Sequence, residues 1–395
     1  MTILRVIDTL DPRTGGPAAG LRALTPVLRA LGHETVVVTM DAPGGACPDI
    51  GGAEVIPLGP ARGGYRRSPA LRPWLEKNAA RFDAIFVHGL WQSLGRAVHI
   101  VTRDQDTPYF IYPHGMLDPW FRRAYPAKHL KKWLYWQLVE RHVLRDAAAV
   151  LFTCEEERRL ANRSFAPYHC VERVVNYGTG GAPDGDAARQ LLAWYSRHPE
   201  LRNRPFLLFL GRIHPKKGAD LVLHAYRKTL AHQANPPALV FAGPAENPEL
   251  LQHLRRLASA LPPAATVIWP GLLAGDEKWG ALRSASAFVL PSHQENFGLA
   301  IAEALAVGTP VLISDQVNIW REIVADGAGL AAPDTAEGTA ALLENWRTLP
   351  ENKRAAMRKC AAACYEKRFN LDAVARSFVE VVRPFLHPAP PPVSK

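Results

Sequence analysis

Residues 206–218 read FLLFLGRIHPKKG. An unbroken apolar run enters Gly211, and three cations, Arg212, Lys216 and Lys217, follow before Gly218 opens a second patterned stretch. A short apolar run bounded by glycine is what a strand buried on both faces of a parallel sheet looks like. Strand, basic turn and helix make one βα unit. Cations at the carboxyl end of such a strand, beside a helix N-terminus, suit a phosphate group: arginine as a planar fork, lysine as a compact charge. A solvated basic loop would read the same way from these residues alone.

The unit recurs in both directions. Upstream lie ILRVID, ETVVVTM, AIFVHG, PYFIYPHG and AAVLFT; downstream lie ALVFAG, TVIWPG, AFVLPS and TPVLIS. Helical stretches between them act as crossovers, so the fold class is α/β. The chain has 395 residues, comfortable for two domains. Its texture changes at YGTGGAPDGD, near residue 180. We therefore expect a Rossmann-like domain over 1–178 and a second over 179–370. A last helix over 371–386 would return to the first domain, and HPAPPPVSK, 387–395, would be a disordered tail. Two such domains facing each other leave a cleft between the carboxyl ends of their strands, the usual place for a ligand.

The net charge of +10 favours an anionic partner without choosing among nucleic acid, phosphorylated small molecules and an acidic membrane. Five cysteines at 47, 154, 170, 360 and 364, without a C-x-x-C, point to a reducing compartment and no structural metal. MTILRVIDTL reads as a first strand and not as a signal peptide. No apolar run approaches the roughly 18 residues of a membrane span. The expected location is the cytoplasm, with a peripheral contact on the inner face of its membrane left open.

The second informative block is SHQENFGLAIAEALAVGTPVLIS, 292–314. Glu295 falls in the loop after a strand, and a helix should run from near Gly298 to about Val307. Glu303 lies inside that helix among Ala300, Ile301, Ala302, Ala304 and Leu305, where a charge needs a partner. Carboxylates accept hydrogen bonds from vicinal hydroxyls, as sugars and riboses offer. Free amides at the helix start take a phosphate.

Other candidates are weaker. TGGPAAG, 14–20, joins the first strand to the first helix, expected from Ala18 to Leu31. Its glycines at 15, 16 and 20 miss the dinucleotide fingerprint, and a simple turn explains them. His88 in FVHGLW and His114 in YPHGMLDPW end apolar strands; a lone histidine is usually structural, and His88 reads so. DQD at 104–106 and DGD at 184–186 read as solvated loops, so no metal is inferred.

Taken together, ENFGLAIAEALAVGTPVL resembles the E-x7-E motif of retaining glycosyltransferases of family four, which have the two-domain GT-B fold. GRIHPKKG is similar to that family's G-R-x-x-x-x-K-G motif, and GGP and PYFIYPHG also match. The resemblance implies that Arg212 and Lys217 hold the donor diphosphate and steady the departing nucleoside diphosphate. Glu295 would bind hydroxyls of the transferred sugar, near the amides of Phe297, Gly298 and Leu299, and Glu303 would bind the ribose. Gly16 would approach from the other domain, and His114 would line the pocket near the anomeric carbon. It further implies a nucleotide-sugar donor, a glycan or lipid-linked acceptor, and no divalent metal. One departure is NYGTG, where the family often has N-G-V/I-D at the domain junction.

Residues 121–145 carry seven lysines and arginines against Glu140 alone, a net +6. Lys128, Lys131 and Lys132 share a helical face, with Trp133 and Trp136 beside them. This suits an anionic membrane surface, or equally a solvated helix whose tryptophans pack inward. Two competing functions stand beside the transferase reading. A nicotinamide-dependent dehydrogenase lacks its glycine fingerprint, and a non-catalytic basic membrane- or RNA-binding protein leaves the Arg/Lys and Glu blocks unexplained. No nucleic-acid motif accompanies the charge.

Overall fold

The computed structural model describes residues 1–11, 16–45, 49–183 and 187–386. Thr14, Gly15, Cys47, the DGD triplet and the 387–395 tail lie outside the described residues. The chain forms two units. One is Met1–Tyr177 together with the segment from Leu371; the other is Gly178–Asn370.

The first unit holds seven parallel strands: β1 (Thr2–Ile7), β2 (Glu34–Thr39), β3 (Glu54–Pro57), β4 (Ala84–His88), β5 (Tyr109–Tyr112), β6 (Ala149–Phe152) and β7 (Glu172–Val174). Their order is β3-β2-β1-β4-β5-β6-β7. Side-chain alternation along β4 divides the core. Ile85 and Val87 join Leu4, Val6, Val38, Ile111 and Phe152 on one face. Ala84 and Phe86 join Ile3, Phe110 and Leu151 on the other. That second face is covered in part by helix Leu371–Val382, whose Ala375, Phe378 and Val382 are buried there. The Phe378 and Phe86 ring centroids are 5.0 Å apart.

The second unit holds six parallel strands: β8 (Phe206–Leu210), β9 (Ala238–Ala242), β10 (Val267–Gly271), β11 (Ala287–Leu290), β12 (Val311–Ser314) and β13 (Gly329–Ala332). Their order is β10-β9-β8-β11-β12-β13. Every residue of β8 and of β11 is buried, as their unbroken apolar sequences require.

Both sheets reverse their strand order once, between β1 and β4 and between β8 and β11. Loops leaving the carboxyl ends of the two strands at such a reversal part in opposite directions and leave a crevice, where open α/β sheets bind ligands. The first helix runs Gly16–Ala30, two residues earlier than its sequence suggests. DQD lies in a turn with both aspartates at the surface. No described helix is long and apolar enough to cross a membrane, and among the described residues no three His, Cys, Asp or Glu side chains group as metal ligands.

Candidate active site

In the second unit, the two loops at the reversal point meet. After β8 the chain passes Arg212, makes a short 3-10 turn over Pro215–Lys217, and enters helix Ala219–Thr229 through Gly218. Gly218 has φ 68°, and a Cβ there would lie 2.4 Å from the Pro291 carbonyl oxygen. Only glycine meets both conditions at no cost. The close approach is stitched further: the His293 amide donates to the Lys216 carbonyl at 2.8 Å, and the Ser292 hydroxyl donates to the same oxygen at 3.2 Å.

This contact brings Lys217 to Glu295, and Lys217 Nζ forms an ion pair with Glu295 Oε2. Both side chains are mostly buried, with 16% and 18% of their surface exposed. Glu295 is itself held by its backbone: its amide donates to the Gln316 carbonyl at 3.0 Å and its carbonyl accepts from the Asn318 amide at 2.9 Å. The helix that follows, Leu299–Ala306, starts at Gly298 in a left-handed conformation, with Phe297 buried against Phe369. Its amide-rich start therefore stands next to the Glu295 carboxylate.

The remaining candidates in this unit are each partnered. Glu303 accepts from Lys278 Nζ at 2.8 Å, which supplies the partner its apolar frame demands. Lys278 comes from helix Gly275–Ser284 and lies over the Trp279 ring. Arg212 pairs with Glu246 at 2.8 Å; both are about half exposed, and the guanidinium holds the Glu246 carboxyl below its ordinary range. So Lys217, assigned to the diphosphate alone, also holds Glu295, while Arg212 projects toward solvent.

In the first unit, Gly16 opens the helix after β1, and its carbonyl accepts from the Tyr177 hydroxyl at 2.7 Å. His114 follows β5 with φ 51°, a left-handed conformation that is uncommon outside glycine. The loop is fixed by Glu157, whose carboxylate accepts from the Gly115 amide at 2.6 Å and from the Thr153 amide and hydroxyl at 2.7 Å. His114 stacks on Tyr112 and His88 and meets the edge of Tyr177. Burial pushes its imidazole pKa down to about 3, with Arg5 adding to the effect. His88, read from sequence as merely structural, is bonded to His114 through Nδ1 at 3.0 Å. Glu157, Lys278 and Arg5 had no signal in the sequence, since each meets its partner only once the chain has folded.

The basic segment divides its two tryptophans, one inward and one outward. Trp136 is buried, stacks on Phe165 and donates to the Pro167 carbonyl at 3.0 Å. The segment's exposed large apolar side chains include Tyr125, Leu130, Trp133, Leu134 and Leu138, the last 76% exposed. Lys132 turns inward over Trp91.

Residues 194–363 match the family model of glycosyl transferases group 1, and residues 15–177 match that of a glycosyl transferase 4-like domain. The chain belongs to this glycosyltransferase family. A D-inositol 3-phosphate glycosyltransferase from Salinispora tropica is 31% identical over 221 residues, covering 53% of this chain and 45% of the relative. The matches to the curated relatives span about a third to three fifths of their length. Among solved structures, sucrose-phosphate synthase from Thermosynechococcus elongatus matches with a TM-score of 0.73 at 18% identity, covering 97% of this chain and 99% of that one. Anabaena HepE in complex with UDP and glucose matches with a TM-score of 0.71 at 16% identity, over 97% and 100%. The two units of this glycosyltransferase are thus the pair of Rossmann-like α/β domains of the GT-B fold.

Proposed function

We propose that this glycosyltransferase moves a sugar from a nucleoside-diphosphate sugar to a glycan or lipid-linked acceptor, with retention of configuration, in cell-surface polysaccharide biosynthesis. The observation that carries the reading is the meeting of Lys217 and Glu295, from the two loops at the reversal point of the second sheet. The UDP and glucose in the HepE relative support a donor of this class.

Lys217 and the more exposed fork of Arg212 bind the diphosphate, together with the amides of Phe297, Gly298 and Leu299. Glu295 binds hydroxyls of the transferred sugar and Glu303 those of the ribose. Holding Lys217 on Glu295 keeps the cation in place before a diphosphate arrives, so little reorganisation is left for the reaction itself. The bond from the anomeric carbon to the diphosphate breaks with its electron pair on the phosphate oxygen. The acceptor oxygen bonds to the same face of that carbon, and its proton passes to the departing phosphate oxygen. No side chain acts as a general base; His114 and Gly16 shape the sugar and acceptor side. No metal is needed, since the cations and helix amides meet the developing charge, and EDTA should leave turnover unchanged.

We assign the acceptor to a lipid-linked class on the segment 121–145, where Leu130, Trp133, Leu134 and Leu138 stand exposed beside Lys128 and Lys131. Apolar side chains flanked by lysines suit the surface of an anionic bilayer, with the protein in the cytoplasm. The test is a melting-temperature panel with UDP, GDP, ADP and NAD, followed by turnover of the sugar nucleotides that stabilise. A nucleoside diphosphate that binds only the native state raises its stability by mass action. Lys217→Ala and Glu295→Ala should each lose turnover while remaining folded. Stabilisation by NAD alone, or full activity in both variants, would overturn the reading.

A further inference from the structure

We propose that Arg5 and His88 are positioning residues that hold His114 in its neutral Nδ1–H tautomer, so that His114 meets substrate as a hydrogen-bond donor. Three side chains from adjacent strands form a row. Arg5 is in β1, His88 ends β4, and His114 follows β5; all lie in the first unit. Arg5 is buried, with its guanidinium carbon 4.8 and 4.7 Å from the centroids of the touching Phe86 and Phe378 rings.

Arg5 NH1 lies 3.4 Å from His88 Nε2. A guanidinium has only donors, so Nε2 of His88 is the acceptor and carries no proton. The adjacent positive charge acts in the same direction. A neutral imidazole with bare Nε2 has its proton on Nδ1. His88 Nδ1 lies 3.0 Å from His114 Nε2, so His88 donates and His114 Nε2 accepts. A neutral His114 with bare Nε2 then carries its own proton on Nδ1. Among the described residues no hydrogen bond is made at that nitrogen, and His114 is only partly buried.

Each step is forced by the one before it because the row starts at a group that cannot accept. The charged and titratable groups around the pair are Arg5 from β1, Tyr112 from β5, Tyr177 and Glu157. The Glu157 carboxylate accepts from Gly115 and Thr153. Burial keeps both imidazoles neutral well into acid. The left-handed backbone at His114 is consistent with a ring held where its neighbours need it rather than where its chain prefers.

That His114 donates to the transferred sugar rests on the proposed function; its tautomer does not. The test is therefore made without substrate, by long-range nitrogen–proton NMR of protein carrying labelled histidine, with His114→Phe assigning the resonances. In the parent protein His114 should show a protonated Nδ1 and a bare Nε2 from about pH 6 to about pH 8. His88→Phe keeps the ring stack but removes both hydrogen bonds, and His114 should then shift toward the Nε2–H form. Turnover should fall about five- to tenfold in that variant, with KM changed less, the size expected for losing one oriented hydrogen bond. A protonated Nε2 on His114 in the parent, or a doubly protonated ring near neutral pH, would overturn the proposal, as would an unchanged tautomer in His88→Phe. Loss of sugar transfer with the tautomer as stated would count against the proposed function instead.

Discussion

Substituting Gly218 tests the central claim that the reversal-point loops create the site by touching. Two costs follow from the geometry. A side chain at φ 68° costs about 1–2 kcal/mol for the left-handed conformation. A Cβ placed 2.4 Å from the Pro291 carbonyl oxygen also forces one backbone segment to move, at about 1–3 kcal/mol. Gly218→Ala should therefore destabilise the second unit by about 2–5 kcal/mol. For a unit of this size each kcal/mol lowers Tm by roughly 2–4 °C, so the drop should be about 4–20 °C. The loops should also separate, taking Lys217 from Glu295, and the Tm rise given by UDP or another stabilising nucleoside diphosphate should shrink. Gly218→Asn separates the two costs, since asparagine tolerates the left-handed conformation but still carries a Cβ. If Gly218→Asn matched the parent in both stability and nucleotide response, the contact with Pro291 would be irrelevant. If Gly218→Ala left Tm and the nucleotide response unchanged, the whole account of loop convergence would fail.

Further outcomes follow from other parts of the chain. Phe378→Ala should cost about 3–5 kcal/mol and lower the melting of the first unit, because the ring is fully buried against Phe86 and under Arg5; calorimetry would detect it. The first unit should be most stable near about pH 6.5. Below that, His88 and His114 stay neutral in the fold but bind protons when unfolded, so stability falls as pH falls. Above it, buried Glu140, with its pKa pushed up to about 8, retains a proton that the unfolded chain has released, so stability falls as pH rises toward 8. Glu140→Gln should remove the alkaline slope and leave the acid one, as read from Tm against pH. Leu134→Glu with Leu138→Glu should reduce cosedimentation with phosphatidylserine vesicles several-fold while leaving Tm nearly unchanged, since both side chains are exposed.

The strands were legible because β4, β5, β6, β8 and β11 are buried on both faces, and burial of that kind leaves unbroken apolar runs. Glu303 was legible as a charge in need of a partner, but its partner was not: Lys278 lies on a different helix, 25 residues away. The same holds for the row Arg5, His88 and His114, which forms only through parallel pairing of β1 with β4 and β4 with β5. The basic segment left two readings open, and the structure divides its tryptophans between them: Trp136 is buried and Trp133 exposed. Trp136 is at the start of a π-helical turn, Trp136–Glu140, and points inward to Phe165. The leucines that do face outward carry no such signal, because single apolar residues are common on helices of any burial.

The return of helix Leu371–Val382 to the first sheet has a consequence for biosynthesis. The first unit is completed by residues made after those of the second, whereas Gly178–Asn370 is one uninterrupted stretch. Its two ends are tied: the Thr179 amide donates to the Phe369 carbonyl at 3.1 Å, and the Tyr365 hydroxyl donates to the Thr179 carbonyl at 2.8 Å. The Gly178–Asn370 unit can thus close while the β1–β4–β5 sheet still exposes the face that Phe378 will cover. During synthesis the earlier-made half waits for the later-made half to finish, and a nascent chain stalled after Asn370 would present that apolar face to chaperones.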